Sequence, residues 1–309
     1  MKALAAMLRA GLAKRGLQVQ ALLRRPLGKR RLWRAKPAET LRVPGADGDI
    51  AATWVGSGAI EASAAIILIH GSHGPLALYR LLADRFKQQD FSTLLIDLPG
   101  FGRTAAPEPP YRPEPFTGKD AVASALRYLS KQNGIDPRRI SVMGHSFGAS
   151  AALAASASTA GLQAVVALGP SRRVQERFLG ESAEEKRMWR ARFALSRRLN
   201  PWPSMEFIAA VSRQTALEYH MDFWSKPGHV PALLLDCGYE TREDRAFLQS
   251  LAARMAAPTE YRTIPHADHY LNSASFGEWV AYDEKAVRTC VEWTTQWLKA
   301  QPDAAKAIA

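Results

Sequence analysis

The sequence predicts an α/β fold, a mostly parallel central sheet with helices on both faces and a helical cap inserted over one sheet edge. Three observations carry this. Short apolar runs alternate with segments of helical period through most of the chain, as βαβ units require. Near the middle, the strand-like run Arg139–Met143 leads directly into Gly144-His145-Ser146-Phe147-Gly148 and then the Ala-rich stretch 149–157. Between residues 171 and 230 the alternation stops and no strand pattern occurs.

Taken in order, Thr40–Val43 and Ile50–Val55 read as a hairpin around the Gly/Asp-rich turn between them. Ala64–Ile69 is a short continuous apolar run, the mark of a strand buried on both faces. A helix is predicted over Leu76–Gln89, with Leu78, Leu81, Leu82 and Phe86 on one stripe, followed by a strand over Ser92–Ile96. The turn-rich Asp97–Arg103 and the Pro-rich loop Ala105–Pro115 precede a helix over about Gly118–Gln132. After the central strand and helix come the strand Ala164–Leu168, the insertion, the strand Pro231–Leu235, the helix Glu243–Met255 and the strand Glu260–Ile264. A closing amphipathic helix is predicted over Gly277–Lys299, with Val287, Cys290, Val291, Trp293 and Trp297 as its apolar residues. The insertion, residues 171–230, is helical in composition and rich in Arg and aromatic residues, as suits a cap with a small core of its own.

At 309 residues the chain is long enough for one large domain, and 47% hydrophobic with 23% charged residues is an ordinary globular balance. No uninterrupted apolar run reaches the roughly 18 residues of a membrane span. Cys237 and Cys290 supply neither a disulfide framework nor metal-ligand spacing, so both are expected to be buried thiols in a reducing, cytoplasmic setting. The formal charge of +12 points to nucleic acid only until it is located: residues 1–40 hold eleven Lys or Arg against Glu39 alone, a net of +10, which leaves +2 for the rest. Residues 1–38 therefore form a basic N-terminal arm, and residues 39–309 are one domain that carries no nucleic-acid footprint. In the arm, Leu4, Leu8 and Leu12 share a helical face opposed by Lys2, Arg9 and Arg15, a pattern that fits either packing on the domain or peripheral contact with an anionic membrane.

The pentapeptide holds the chemistry. Glycines on either side of Ser146 allow a tight strand-to-helix turn, and a serine on such a turn presents its hydroxyl at the carboxyl edge of a sheet, a nucleophile elbow. Serine is a weak nucleophile at neutral pH, so the site needs a histidine base, an acid to orient that base, and N–H donors for the developing oxyanion.

His70-Gly71, Asp97-Leu98-Pro99-Gly100-Phe101-Gly102, Gly144–Gly148 and Ala267-Asp268-His269 together resemble the motifs of the α/β-hydrolase superfamily over about residues 40–300. The run Ile135–Gly148 is also similar to the dienelactone-hydrolase and prolyl-oligopeptidase branches. The resemblance implies an α/β-hydrolase fold in which the base follows the last strand, leaving His266 and His269; His269 matches the Ala-Asp-His pattern. It places the acid after the strand ending at Leu235, where Asp236, Glu240, Glu243 and Asp244 compete, and Glu240, two residues past Gly238, fits best with Asp244 next. The oxyanion donors it implies are the backbone N–H groups of Phe147 and Ser72. His145 is expected to pack, Asp97 to order its own turn, and Asp268 to be an exposed loop carboxylate.

The function implied is that of a serine hydrolase cleaving a small-molecule carboxylic ester or thioester through an acyl-enzyme, with Ser146, His269 and Glu240 as its triad. No metal or organic cofactor is needed. The alternatives are a peptidase or amidase of the same fold and a non-catalytic binding module.

Overall fold

The computed structural model describes residues 30–46, 48–59, 62–71, 76–105, 118–170, 230–239 and 241–304. Eight strands form the main sheet: β2 (Glu39–Val43), β3 (Ile50–Val55), β4 (Ser63–Ile69), β5 (Phe91–Ile96), β6 (Ile135–His145), β7 (Val165–Leu168), β8 (Ala232–Cys237) and β9 (Thr259–Ile264). Their order is β2-β3-β5-β4-β6-β7-β8-β9. The β2–β3 hairpin joins β5 antiparallel, and every pairing from β5 to β9 is parallel.

Parallel strands need crossovers, and these supply the two helical layers. Side chains alternate across the sheet, so Ala65, Ile67 and Ile69 of β4 enter one core while Ala64, Ile66 and Leu68 enter the other. On the second face lie α1 (Ala77–Lys87) and α5 (Glu284–Lys299). On the first lie α2 (Lys119–Leu129), α3 (Phe147–Ser156) and α4 (Arg242–Arg254). All seven residues of β4 are buried, Ala64–Ile69 as an unbroken apolar run and Ser63 with its hydroxyl bonded to that of Ser92. Each fully buried Leu or Ile contributes about 1.5–3 kcal/mol, so the buried β4–β6 centre is a well-packed mount for a strained turn. Cys237 and Cys290 are both buried free thiols.

The closing helix begins at Glu284 rather than at Gly277. Residues before it form β10 (Ala274–Phe276) and β11 (Trp279–Tyr282), a hairpin turned by Gly277 at φ 57°. Trp279–Tyr282 alternates outward and inward, with Val280 and Tyr282 buried, which is strand and not helix period. Asp283 then starts α5 by accepting hydrogen bonds from the N–H groups of Lys285 and Ala286. The third strand of this small antiparallel sheet is β1 (Arg31–Arg34), which pairs with β11 from Arg31↔Tyr282 to Arg34↔Trp279. The end of the basic arm is thus paired with the body. Residues 171–229, nearly all of the cap, lie outside the described residues.

Candidate active site

β6 sits at the centre of the sheet and ends at His145, and α3 starts at Phe147. Ser146 between them has φ 55° and ψ −116°, a conformation that costs about 1–3 kcal/mol for a residue with a Cβ. The flanking glycines are required by space. A Cβ on Gly144 would lie 1.9 Å from the Gly148 carbonyl oxygen, and one on Gly148 would lie 2.5 Å from the His70 carbonyl oxygen. The Ser146 N–H donates to the Leu168 carbonyl at 2.8 Å, which pins the elbow to β7. Phe147, at the first position of α3, is among the helix N–H groups that have no carbonyl within the helix. Gly71 approaches from the end of β4, and a Cβ there would lie 3.3 Å from that of Ser146. Ser72, the other expected oxyanion donor, is outside the described residues.

Two histidines order the surrounding loops. His70 is fully buried; its Nδ1–H donates to the Gly71 carbonyl at 2.8 Å and its Nε2 accepts from the Leu98 N–H at 3.1 Å. This pattern fixes one neutral tautomer, and burial holds the ring below its ordinary pKa. Asp97 orders its own turn as expected, its Oδ2 accepting from both the backbone N–H and Nε of Arg103 at 3.0 Å. His145 does more than pack. Its Nδ1 is 2.8 Å from the Tyr79 hydroxyl, which also accepts from the Gly71 N–H at 2.8 Å, and its Nε2 is 2.6 Å from the His269 carbonyl oxygen.

His269 stands in the loop after β9, its ring centroid 4.8 Å from that of His145, the neighbour of Ser146. The loop is held by its own side chains. Asp268 Oδ1 accepts from the N–H groups of Tyr270 and Asn272, and the Asp268 N–H in turn donates to Asn272 Oδ1. Asn272 Nδ2 also donates to the His266 carbonyl at 2.7 Å and to Asp283 Oδ2 at 3.1 Å. Asp268 is therefore a half-buried organiser of the loop and not an exposed carboxylate. Leu271, fully buried in the α1/α5 core, anchors the loop at φ 55°.

Of the four acids, two are engaged elsewhere. Asp236 is fully buried, and its Oδ2 accepts from Arg245 Nε at 2.9 Å and the Tyr261 hydroxyl at 3.0 Å. Asp244 forms a reciprocal cap on α4: Thr241 Oγ1 donates to Asp244 Oδ2 at 2.6 Å and accepts from the Asp244 N–H. Glu243 lies in the first turn of α4, where its charge suits the helix dipole. Glu240 is outside the described residues. The chain just before it meets the histidine loop, with Gly238 N–H donating to the Ile264 carbonyl and Tyr239 N–H to the Ala267 carbonyl, both at 2.9 Å.

Sequence reading missed Tyr79, Asn272 and the role of His145. Tyr79 sits within the α1 apolar stripe and looks like any core aromatic; its hydroxyl matters only through partners at residues 71 and 145.

A mixed sheet in this order, with a serine elbow at its centre and a histidine loop after the last strand, defines the class of α/β proteins that the motifs resemble. The model of the Alpha/beta hydrolase family matches residues 66–283, and the chain belongs to that family. By sequence it matches no curated protein. Among solved structures it is similar to an esterase from Exiguobacterium antarcticum (TM-score 0.61, 13% identity, covering 85% of this chain and 100% of that one). It is also similar to Est1E from Butyrivibrio proteoclasticus with ferulic acid bound (TM-score 0.60, 15% identity, 84% and 98% covered). A dienelactone hydrolase from Anabaena variabilis is a third (TM-score 0.51, 17% identity, 89% and 99% covered). At these identities the likeness is one of fold. Among the described residues there is no cluster of metal-ligating side chains and no helix long and apolar enough to cross a membrane.

Proposed function

We propose that this protein is a serine hydrolase that cleaves a carboxylic ester or thioester of a small molecule through an acyl-enzyme. The observation that carries the reading is the strained Ser146 at φ 55°, held between two sterically obligate glycines beside the loop that bears His269. In this reading Ser146 Oγ attacks the acyl carbon while His269 takes its proton. The carbonyl oxygen becomes an oxyanion held by the N–H groups of Phe147 and Ser72, worth about 3–4 kcal/mol per donor. Collapse expels the alcohol or thiol, to which His269 returns the proton. Water then repeats the sequence on the acyl-enzyme, releasing the acid and restoring Ser146. Glu240, two residues past Gly238, orients His269 throughout; of its rivals, Asp236 holds Arg245 through Oδ2 and Asp244 holds Thr241. The esterase-type fold neighbours support an ester substrate.

A fluorophosphonate probe is expected to label Ser146 in the folded protein. Ser146→Ala is expected to abolish labelling and to lower p-nitrophenyl ester turnover at least about 10³-fold. Absence of label on the wild type, or turnover retained by Ser146→Ala, overturns the reading. Parallel p-nitroanilide assays separate ester from amide cleavage.

A further inference from the structure

We propose that Tyr79 and His145 are a pair of positioning residues that hold the elbow, the loop after β4 and the histidine loop in register. The proposal rests on the serine-hydrolase reading above and extends it to two side chains that touch neither substrate nor the reacting atoms.

For a neutral His145 ring the hydrogen bonds have one consistent direction. The His269 carbonyl can only accept, so His145 Nε2 carries a proton and donates to it at 2.6 Å. In a neutral ring Nδ1 is then an acceptor, and Tyr79 Oη–H donates to it at 2.8 Å. The phenol oxygen in turn accepts the Gly71 N–H at 2.8 Å. Each of the three acceptors receives one proton. Both side chains are buried, and burial raises the Tyr79 phenol well above its ordinary range, so it stays a donor.

What the chain joins gives it meaning. Gly71 follows β4, Tyr79 lies on α1, His145 ends β6 directly before Ser146, and His269 stands after β9. The His145 ring also packs against the rings of His269 and Tyr270 at 4.8 and 5.4 Å. Removing the Tyr79 hydroxyl leaves the Gly71 N–H without its acceptor and frees His145 to carry its proton on Nδ1. Its Nε2 lone pair would then face the His269 carbonyl oxygen, and the loop holding the base would shift away from Ser146. Displacement of about 1 Å in such a site costs on the order of 10²-fold in rate.

The test begins with wild type, where fluorophosphonate labelling of Ser146 establishes the parent reading without reference to the pair. Tyr79→Phe is then expected to lower kcat and the labelling rate about 10- to 100-fold, with KM changed less than about threefold. His145→Gln, whose amide can still donate to the His269 carbonyl, is expected to retain more activity than His145→Leu. Adding Tyr79→Phe to His145→Leu is expected to cost less than Tyr79→Phe costs in the wild type, because the link through position 145 is already gone. All variants are assayed well below their melting midpoints. A folded Tyr79→Phe that labels at the wild-type rate overturns the inference and leaves the serine reading standing. If Tyr79→Phe does not fold, equal activity losses in folded His145→Gln and His145→Leu overturn it instead. Unlabelled wild type removes the parent reading.

Discussion

Ser146 carries a side chain on a backbone that glycine would adopt with less strain, and the surroundings force it to stay there. The Leu168 carbonyl fixes its N–H, and no Cβ is tolerated at Gly144 or Gly148. The strain is a stability cost located at the residue proposed as the nucleophile. Replacing Ser146 by Gly and by Ala removes the hydroxyl in both cases, but only Gly relieves the strained φ. After allowing for glycine's greater freedom in the unfolded chain, Ser146→Gly is expected to be about 1 kcal/mol more stable than Ser146→Ala. This corresponds to a melting midpoint about 2 °C higher, readable by calorimetry. Equal midpoints would show that the elbow stores no strain.

At the scale of elements, the histidine loop and α5 share one acid. Asp283 caps α5 through Oδ1, with Lys285 N–H at 2.9 Å and Ala286 N–H at 3.3 Å, and receives Asn272 Nδ2 on Oδ2 at 3.1 Å. The two jobs separate by substitution. Asp283→Ala is expected to lose about 1 kcal/mol of capping and to lower kcat about 3- to 10-fold as the loop loosens. Asp283→Asn keeps an oxygen for the cap but sets one amide N–H₂ against another, so its melting midpoint is expected to stay near wild type while kcat falls as in Asp283→Ala. Thermal melts and steady-state assays of the pair check this. None of it was legible beforehand. The α5 stripe was, through Val287, Cys290, Val291 and Trp297, because a helix buried on one side must repeat at helical period. Its start was not, because Trp279, Val280 and Tyr282 are apolar enough to extend that stripe, and only pairing with β1 and β10 makes them a strand. Likewise the elbow was readable from consecutive residues, whereas Tyr79, His145 and His269 are linked across 66 and 124 positions of sequence.

For the whole molecule, the main sheet was readable because a strand buried on both faces reads as a nearly continuous apolar run, as Ala64–Ile69 of β4 does. The polar clamps at its carboxyl edge were not, and one of them ties global stability to pH. His70 joins the ends of β4 and β5 as a neutral ring, its pKa lowered by burial from 6.5, with the hydrogen bond to the Gly71 carbonyl and then the Asp97 charge offsetting part of that effect. In the unfolded chain the ring takes up a proton near 6.5, while the folded state resists until lower pH. The unfolded state then binds more protons, so the contribution is complete above the unfolded value and is lost as pH falls below it. The melting midpoint is expected to drop between about pH 7.5 and pH 5, and His70→Gln, which keeps a donor and an acceptor but does not titrate, is expected to flatten that drop. An unchanged slope in His70→Gln would assign the pH dependence to other groups.

The β1–β11 pairing bears on where this chain can be cut. Trp33 of β1 packs against the same core as Val280 and Tyr282, and β11 runs directly into Asp283, which holds Asn272 of the histidine loop. A truncation meant to remove the basic arm for a liposome-binding comparison, if taken to residue 38, would also strip an edge strand whose partner leads to the loop bearing His269. Lost turnover in such a protein would report a damaged scaffold rather than a severed membrane anchor. Cutting before Arg30 leaves β1 and its pairing with β11 in place.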